Sequence, residues 1–471
     1  MTKINSLLTR IKSSKILKAG IWYTLGSFLI KGINFITLPI FARLLSTSDY
    51  GEASIYNTWL SVLTLIIPLD LSASVVRGRS DFKEKFDSFL SSILFLATLS
   101  LLAFLGISIL FSDFISSLLD IDEKLIVLLI IHSFFMFVIN FITAKYTSEY
   151  KYKSYILVSI ATTFINIVLS IILIMALNDN KYFGRIIGSA FSMISVGIIV
   201  YIRVMIKGKV LIDLKYWKYA LILSLPLILH SLSGLILSQS DRVMIDRFIG
   251  SNKAGIYSFT NTIAMLVDVL FVSLNRAWVP WFYEKMDTKS YKEINSRTKY
   301  YIMLFTSITC LLIFISPEIV MIMGSEDYWE GLTLVPPIMV GYFFMFLYSL
   351  PVNIEFYQKK TYHTSIGTML AAAINIILNY IYIPKYGYTA AAWTTLISYI
   401  FMFIFHYIIT KYVLKVKVFS YKIFLIAIII IVITSIVFYM LIDLIIARYI
   451  LLIVSVIFIL IYYRKNNFIK I

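Results

Sequence analysis

RLLSTSDYGEASIYNT at residues 43–58 returns as RFIGSNKAGIYSFTNT at residues 247–262, and this repetition decides the architecture. Arg43, Gly51, Ser54, Asn57 and Thr58 recur as Arg247, Gly255, Ser258, Asn261 and Thr262, each displaced by 204 residues. Five identities in sixteen positions exceed what shared hydrophobicity produces. Farther along, Ile165-Asn166-Ile167-Val168-Leu169 returns as Ile374-Asn375-Ile376-Ile377-Leu378. The turn from Glu149 and Tyr150 to Lys153 returns from Glu355 and Phe356 to Lys359. The displacements, between 204 and 209, describe a duplication with small loop insertions.

Working outward, the chain offers fourteen stretches with the roughly 20 apolar residues that a bilayer crossing requires. They lie near 18–42, 51–76, 88–111, 125–148, 154–177, 183–206, 219–247, 254–282, 300–322, 332–354, 362–383, 388–410, 421–442 and 445–463. Each repeat holds six of them. An even number sends both halves into the membrane in the same direction, which makes the repeat parallel about an axis along the membrane normal. The expected fold is therefore an all-α membrane protein. Two six-helix bundles, residues 1–210 and 211–412, face a central cleft, and residues 413–471 add two peripheral transmembrane helices. Such a pair of bundles suits a carrier that rocks between two openings.

Charge sets the orientation. With 42 Lys and Arg against 25 Asp and Glu, the basic excess clusters in alternate loops, on the side of Met1. Inner loops attract Lys and Arg, so both termini are expected in the cytoplasm of a bacterial inner membrane. The same clustering at span ends explains the net charge of +17 as topology and attraction to anionic lipid, without nucleic acid. One cysteine excludes intrachain disulfides, and four scattered histidines do not suggest a metal centre. No phosphate-binding G-x-x-x-x-G-K-[ST] run occurs, and no cofactor is expected. The outer loops are too short to carry the acid and base groups of a polymerase or glycosyltransferase.

More specific motifs sit in spans seven, eight, eleven and twelve. Leu225-Pro226-Leu227-Ile228-Leu229-His230-Ser231-Leu232-Ser233-Gly234 is followed by Ser238-Gln239-Ser240-Asp241-Arg242. Leu274-Asn275-Arg276-Ala277-Trp278-Val279-Pro280-Trp281 closes span eight, and Ile383-Pro384-Lys385-Tyr386-Gly387-Tyr388-Thr389-Ala390 joins spans eleven and twelve. Together these resemble the polysaccharide (O-antigen and capsule repeat-unit) flippases of the multidrug, oligosaccharidyl-lipid and polysaccharide exporter superfamily. The resemblance covers essentially the whole chain. It implies an alternating-access carrier for an undecaprenyl-diphosphate-linked oligosaccharide, a cation-lined cavity, ion coupling, and polymerase or glycan-assembly partners. Carriers of lipid II or another glycolipid, and small-molecule (multidrug) antiporters, share the superfamily. The chain reads Leu69-Asp70-Leu71 where the resemblance calls for Gly-Leu-Asp, which unsettles the backbone there.

Charge at bilayer depth costs about 2.5–3.5 kcal/mol on insertion scales and needs a watery cleft or a partner. Lys31 lies about 20 Å along the first span, with Asn34 one turn beyond. Registering span seven on span one matches Asp241 and Arg242 to Thr37 and Leu38, which brings both to membrane depth. Lys31, Arg242 and Arg276, with Asn34, Asn261 and Asn275, are the expected diphosphate and cavity residues. Lys31 has a structural reading too, as half of an interhelical ion pair with Asp70 or Asp268, and Arg242 one with an acidic partner. Asp268 and Asp70 are candidates for ion coupling. So are His230 and Asp241, which share one helical face because eleven residues close about three turns. Asn261, Asp268 and Asn275, seven residues apart, make a second polar line. Trp278 and Trp281 read as interface anchors. Three candidate cations face three candidate carboxylates, so a net-positive site needs some of the acids turned away or protonated.

Overall fold

The computed structural model describes Gly26, Gly32, Ile33 and residues 35–465, with side chains to Ile457. Lys31 and Asn34 lie outside the described residues. All regular structure among the described residues is helical. The chain forms two compact units, Met1–Leu235 and Ile236–Ile471. Eleven helical segments are long and apolar enough to cross a membrane, and they correspond to expected spans three to thirteen. Spans one and fourteen are seen in part, as Phe35–Leu44 and Ile445–Ile457.

In the first unit, α1 (Phe35–Leu44) leads into α2 (Thr47–Ile66). Ser46 caps α2 by accepting the Asp49 backbone N–H at 3.1 Å, while its hydroxyl donates to Asp49 at 2.6 Å. The expected continuous second span, 51–76, does not form. Helix α2 stops at Ile66, Leu69 and Asp70 take the left-handed region at φ 56° and 45°, and a 3-10 turn over Leu71–Ser74 opens α3 (Val75–Phe82). Pro68 has no N–H to continue the ladder. Two side-chain-bearing residues then occupy positive φ, a conformation glycine adopts without steric cost. The missing glycine thus marks a real backbone irregularity.

The remaining helices are α4 (Phe86–Leu110), α5 (Ser112–Leu119), α6 (Glu123–Ser148), α7 (Tyr152–Ala176), α8 (Tyr182–Gly208) and the start of α9 (Leu214–Ile249). Their core joins Phe89, Ile93 and Ala97 of α4 to Phe134, Phe137 and Phe141 of α6 and Val200 and Val204 of α8. Helices α7 and α8 approach closest. A Cβ at Gly184 would sit 2.7 Å from the Ile174 nitrogen, and one at Gly188 2.5 Å from the Ser170 nitrogen. Lipid tails give helices no hydrophobic drive to associate, so two glycines one turn apart let backbones touch and gain dispersion contact. Gly188→Val is expected to force the pair apart. The cost is about 3 kcal/mol, at the top of the overpacking range. Membrane abundance and thermal unfolding temperature should both fall, and an unchanged melting curve would show that α7 and α8 do not depend on this contact.

In the second unit the expected single span 254–282 is two helices, α10 (Ser251–Ala264) and α11 (Leu266–Asp287), broken at Met265. This interrupts the Asn261–Asp268–Asn275 line. Next come α12 (Tyr291–Met323), a 3-10 segment over Glu326–Leu334, and α13 (Val335–Tyr357). Helix α13 is buried along most of its length, with Pro336 and Pro337 in the first turn, where no backbone donor is needed. Phe305 of α12 stacks on Phe346 of α13 at 4.1 Å between ring centroids. Trp278 joins this core, 8% exposed and stacked on Tyr301 at 4.4 Å, so it is a packing residue and not an interface anchor. Helices α14 (Tyr362–Tyr386) and α15 (Thr389–Ile408) pack side by side, and α15 ends in a π turn over Ile409–Val413. The last two helices, α16 (Tyr421–Leu441) and α17 (Ile445–Lys465), lie on α12. There Arg448 bonds to Glu318, and Thr434 donates to Cys310 Sγ at 3.2 Å.

Candidate functional site

Helix α9 runs unbroken for 36 residues, so Asp241 and Arg242 belong to a helix and not to a loop. Adjacent residues on a helix point about 100° apart, and these two have opposite surroundings. Asp241 is 2% exposed and accepts four hydrogen bonds. The Tyr257 hydroxyl of α10 donates to one carboxylate oxygen, as does Thr395 of α15 at 2.7 Å. Asn379 and Asn375 of α14 donate to the other, at 2.6 and 3.4 Å. The asparagines are themselves held: Ser240 donates to Asn375 Oδ1 at 2.9 Å, and Thr394 donates to Asn379 Oδ1. One carboxylate is thus enclosed by amides and hydroxyls from three further helices, with no lysine or arginine bridging it among the described residues.

Arg242 has little to hold it. It is half-buried, and among the described residues its hydrogen bond is a 3.4 Å contact to the carbonyl of Ser238 on its own helix. Among the described residues it forms no salt bridge. Arg276 is exposed. Asn261 accepts from the Tyr342 hydroxyl at 2.8 Å, and Asn275 and Asp268 are half-buried on α11. Asp70 is buried in its left-handed turn, accepting from Ser72 at 3.1 Å. His230 belongs to the first unit, whereas every partner of Asp241 belongs to the second. His230 and Asp241 both lie on the continuous helix α9, eleven residues apart.

Sequence reasoning missed Tyr257, Asn379, Thr394 and Thr395, and used Asn375 only as a repeat marker. A signal was present. Asn375 and Asn379 are four apart, on one face of an otherwise apolar span. The duplication also placed a polar cluster in the first unit, around a charge of opposite sign. There Arg185 of α8 donates to Asn166 of α7 at 2.6 Å and Ser170 at 3.0 Å, and its guanidinium covers Phe41 at 4.2 Å.

An all-helical chain with many apolar spans and a buried acid within one of them is a polytopic membrane protein. Residues 16–286 match the family described as polysaccharide biosynthesis protein, and the chain belongs to that family. An Lsg locus protein of Haemophilus influenzae is 24% identical over 388 residues, covering 77% of this chain and 90% of its own length. An uncharacterized membrane protein of Methanocaldococcus jannaschii is 24% identical over 433 residues, covering 83% of each. Among solved structures, the lipid II flippase MurJ in an inward closed conformation superposes with a TM-score of 0.73 at 19% identity, covering 95% of this chain and 99% of that one. An inward-facing multidrug resistance MATE family transporter of the MOP superfamily gives 0.67 at 13% identity, covering 85% and 99%. The chain shares the fold of these two proteins.

Proposed function

We propose that this protein is a flippase, not an enzyme. It moves an undecaprenyl-diphosphate-linked oligosaccharide from the cytoplasmic to the outer leaflet of a bacterial inner membrane, for O-antigen or capsular polysaccharide assembly. The observation that carries the reading is Arg242: a half-buried guanidinium within an apolar span, mounted on a continuous helix and, among the described residues, in no salt bridge. A diphosphate supplies the missing partner, because a planar guanidinium donates in pairs to phosphoryl oxygens. Lys31 and Arg276 extend the cationic set, and Asn34, Asn261 and Asn275 offer neutral donors. The objection that acids cancel these cations weakens, since Asp241 and Asp70 are buried and already hydrogen-bonded. Asp241 suits the coupling ion, a proton or a monovalent cation, as a single negative charge among neutral hydroxyls and amides. Asp268 and His230 are secondary candidates for the same role.

Deletion of the gene in a host that displays surface glycan is the direct test. Lipid-linked repeat units should accumulate on the cytoplasmic leaflet while surface glycan is lost. Accumulation of lipid II instead would move the substrate to the cell-wall precursor, and loss of drug tolerance with intact glycan would favour an antiporter. The proposed division, with two bundles at 1–210 and 211–412 and two added helices, puts both termini on one side, and the loop charge bias makes that side the cytoplasm. Reporter fusions after Glu326 and after Lys292 should score as periplasmic and cytoplasmic respectively. The reverse pattern would overturn the proposed orientation.

A further inference from the structure

A second buried titratable group lies away from Asp241, where α13, α14 and α15 end beside the Lys359–Lys360 turn. The Glu355 carboxylate of α13 and the His406 imidazole of α15 have no exposed side-chain surface and meet at 2.8 Å, through Nδ1 and Oε1. Thr364 of α14 donates to the other carboxylate oxygen at 3.0 Å. His406 Nε2 is buried and has no hydrogen-bond partner among the described residues. It lies against Gly367 of α14, where a Cβ would come within 2.6 Å of it, so the imidazole occupies space that only glycine leaves.

The groups facing the pair are few. Helix α13 adds Tyr348, whose ring centroid is 5.8 Å from that of His406 and whose hydroxyl feels Asp268 of α11. Helix α14 adds His363, one turn before Gly367, and the turn adds only the Lys360 backbone N–H, donated to the Glu355 carbonyl at 2.8 Å. Lys411, beyond α15, covers Tyr407 and Tyr412. Among the described residues, no lysine or arginine bridges Glu355.

The duplication supplies an internal comparison. Glu149, the counterpart of Glu355, is bridged at 2.8 Å by Lys151, a cation across the physiological range. The second copy has Tyr357 at the position of Lys151, and the group that meets the carboxylate is a histidine brought in by α15, the side chain that changes charge between pH 5 and 8. A carboxylate and imidazole sharing two protons are neutral as a pair. Losing one leaves a net negative charge, and gaining one leaves a net positive charge. Neither is stable without water or a counter-ion in a site this dry.

We propose that Glu355 and His406 form a proton-binding site whose neutral, two-proton state holds the ends of α13, α14 and α15 together. Release of the proton leaves Glu355 charged and opens those ends to water. The inference rests on the fold and this pair alone, and stands whatever substrate the protein carries.

Hydrogen exchange read by mass spectrometry, on the full chain in lipid nanodiscs, tests it. After correction for intrinsic exchange, amides of 351–366 and 403–410 should exchange about tenfold faster near pH 9 than near pH 6, as the site loses its proton. In Glu355→Gln, which lacks the carboxylate that proton release would leave charged, that ratio should fall to about one. The turn holding Glu149 and Lys151 should show no such dependence. Equal ratios in wild type and Glu355→Gln would overturn the proposal. Should Glu355→Gln fail to accumulate, nitrogen NMR of histidine-labelled wild-type protein decides, with a His406→Gln spectrum for assignment. A His406 ring with unchanged protonation across that interval would also overturn it. Glycan export is not scored, so failure of the flippase reading leaves the result intact.

Discussion

Arg242→Ala is expected to reduce surface glycan export by roughly a hundredfold while protein abundance stays near normal. The magnitude follows from losing about two charge-assisted hydrogen bonds of about 1.5 kcal/mol each to a diphosphate, at 1.4 kcal/mol per factor of ten. Abundance should hold because, among the described residues, the side chain's hydrogen bond to the protein is one long contact to Ser238. Lysine at 242 should restore part of the activity, since it keeps the charge and loses the planar fork. Lys31→Ala should resemble Arg242→Ala, but with better rescue by other cations, because lysine acts as a point charge. Reduced abundance that recovers when an acidic residue is also removed would assign Arg242 a structural ion pair. A well-expressed Lys31→Ala, Arg242→Ala double variant with normal surface glycan would end the diphosphate hypothesis.

Asp241→Ala should act through stability. It leaves Tyr257, Asn375, Asn379 and Thr395 with donors aimed at a void. Buried donors stripped of a charged partner cost on the order of 3–5 kcal/mol, a large part of a typical total of 5–15 kcal/mol. Abundance and melting temperature should fall together. Asp241→Asn keeps the shape and removes the charge, so more of the protein should fold. If Asp241 carries the coupling ion, export by Asp241→Asn should be weak and should no longer respond to pH or external monovalent cations. Unaltered export with unaltered ion dependence would remove Asp241 from coupling and leave it a packing residue.

The membrane class was legible because hydropathy acts residue by residue and charge bias acts loop by loop. The duplication was legible because its matching motifs include turn residues, where backbone geometry limits the choices. Interruptions inside spans were less visible. Pro68 and the left-handed Leu69 and Asp70 end α2 within an apolar run, and the break at Met265 has no proline or glycine to announce it. Periodicity drawn through Asn261, Asp268 and Asn275 assumed one straight helix and failed there. The Asp241 cluster was half legible. Its acid drew notice because charge in an apolar span is costly, while its amides and hydroxyls looked like neutral decoration until α14 and α15 brought them to it. Trp278 was misread because an aromatic near a span end carries the same sequence signal whether it meets lipid or a stacked Tyr301.

Helix α9 is made early and finished late. Its first turns dock on residues already synthesised, with Trp217 donating to the Ser92 carbonyl and Tyr219 to Asp81. Asp241 emerges soon afterwards, but Asn375, Asn379 and Thr395 follow it by 134, 138 and 154 residues. At about 5–20 residues per second, roughly 8–30 s pass before the last donor exists. During that interval the ribosome has delivered an acid into the bilayer ahead of the groups that make it tolerable. Biogenesis of this chain therefore has a vulnerable window between the synthesis of α9 and that of α15, in which the insertion machinery must shelter a half-built second unit.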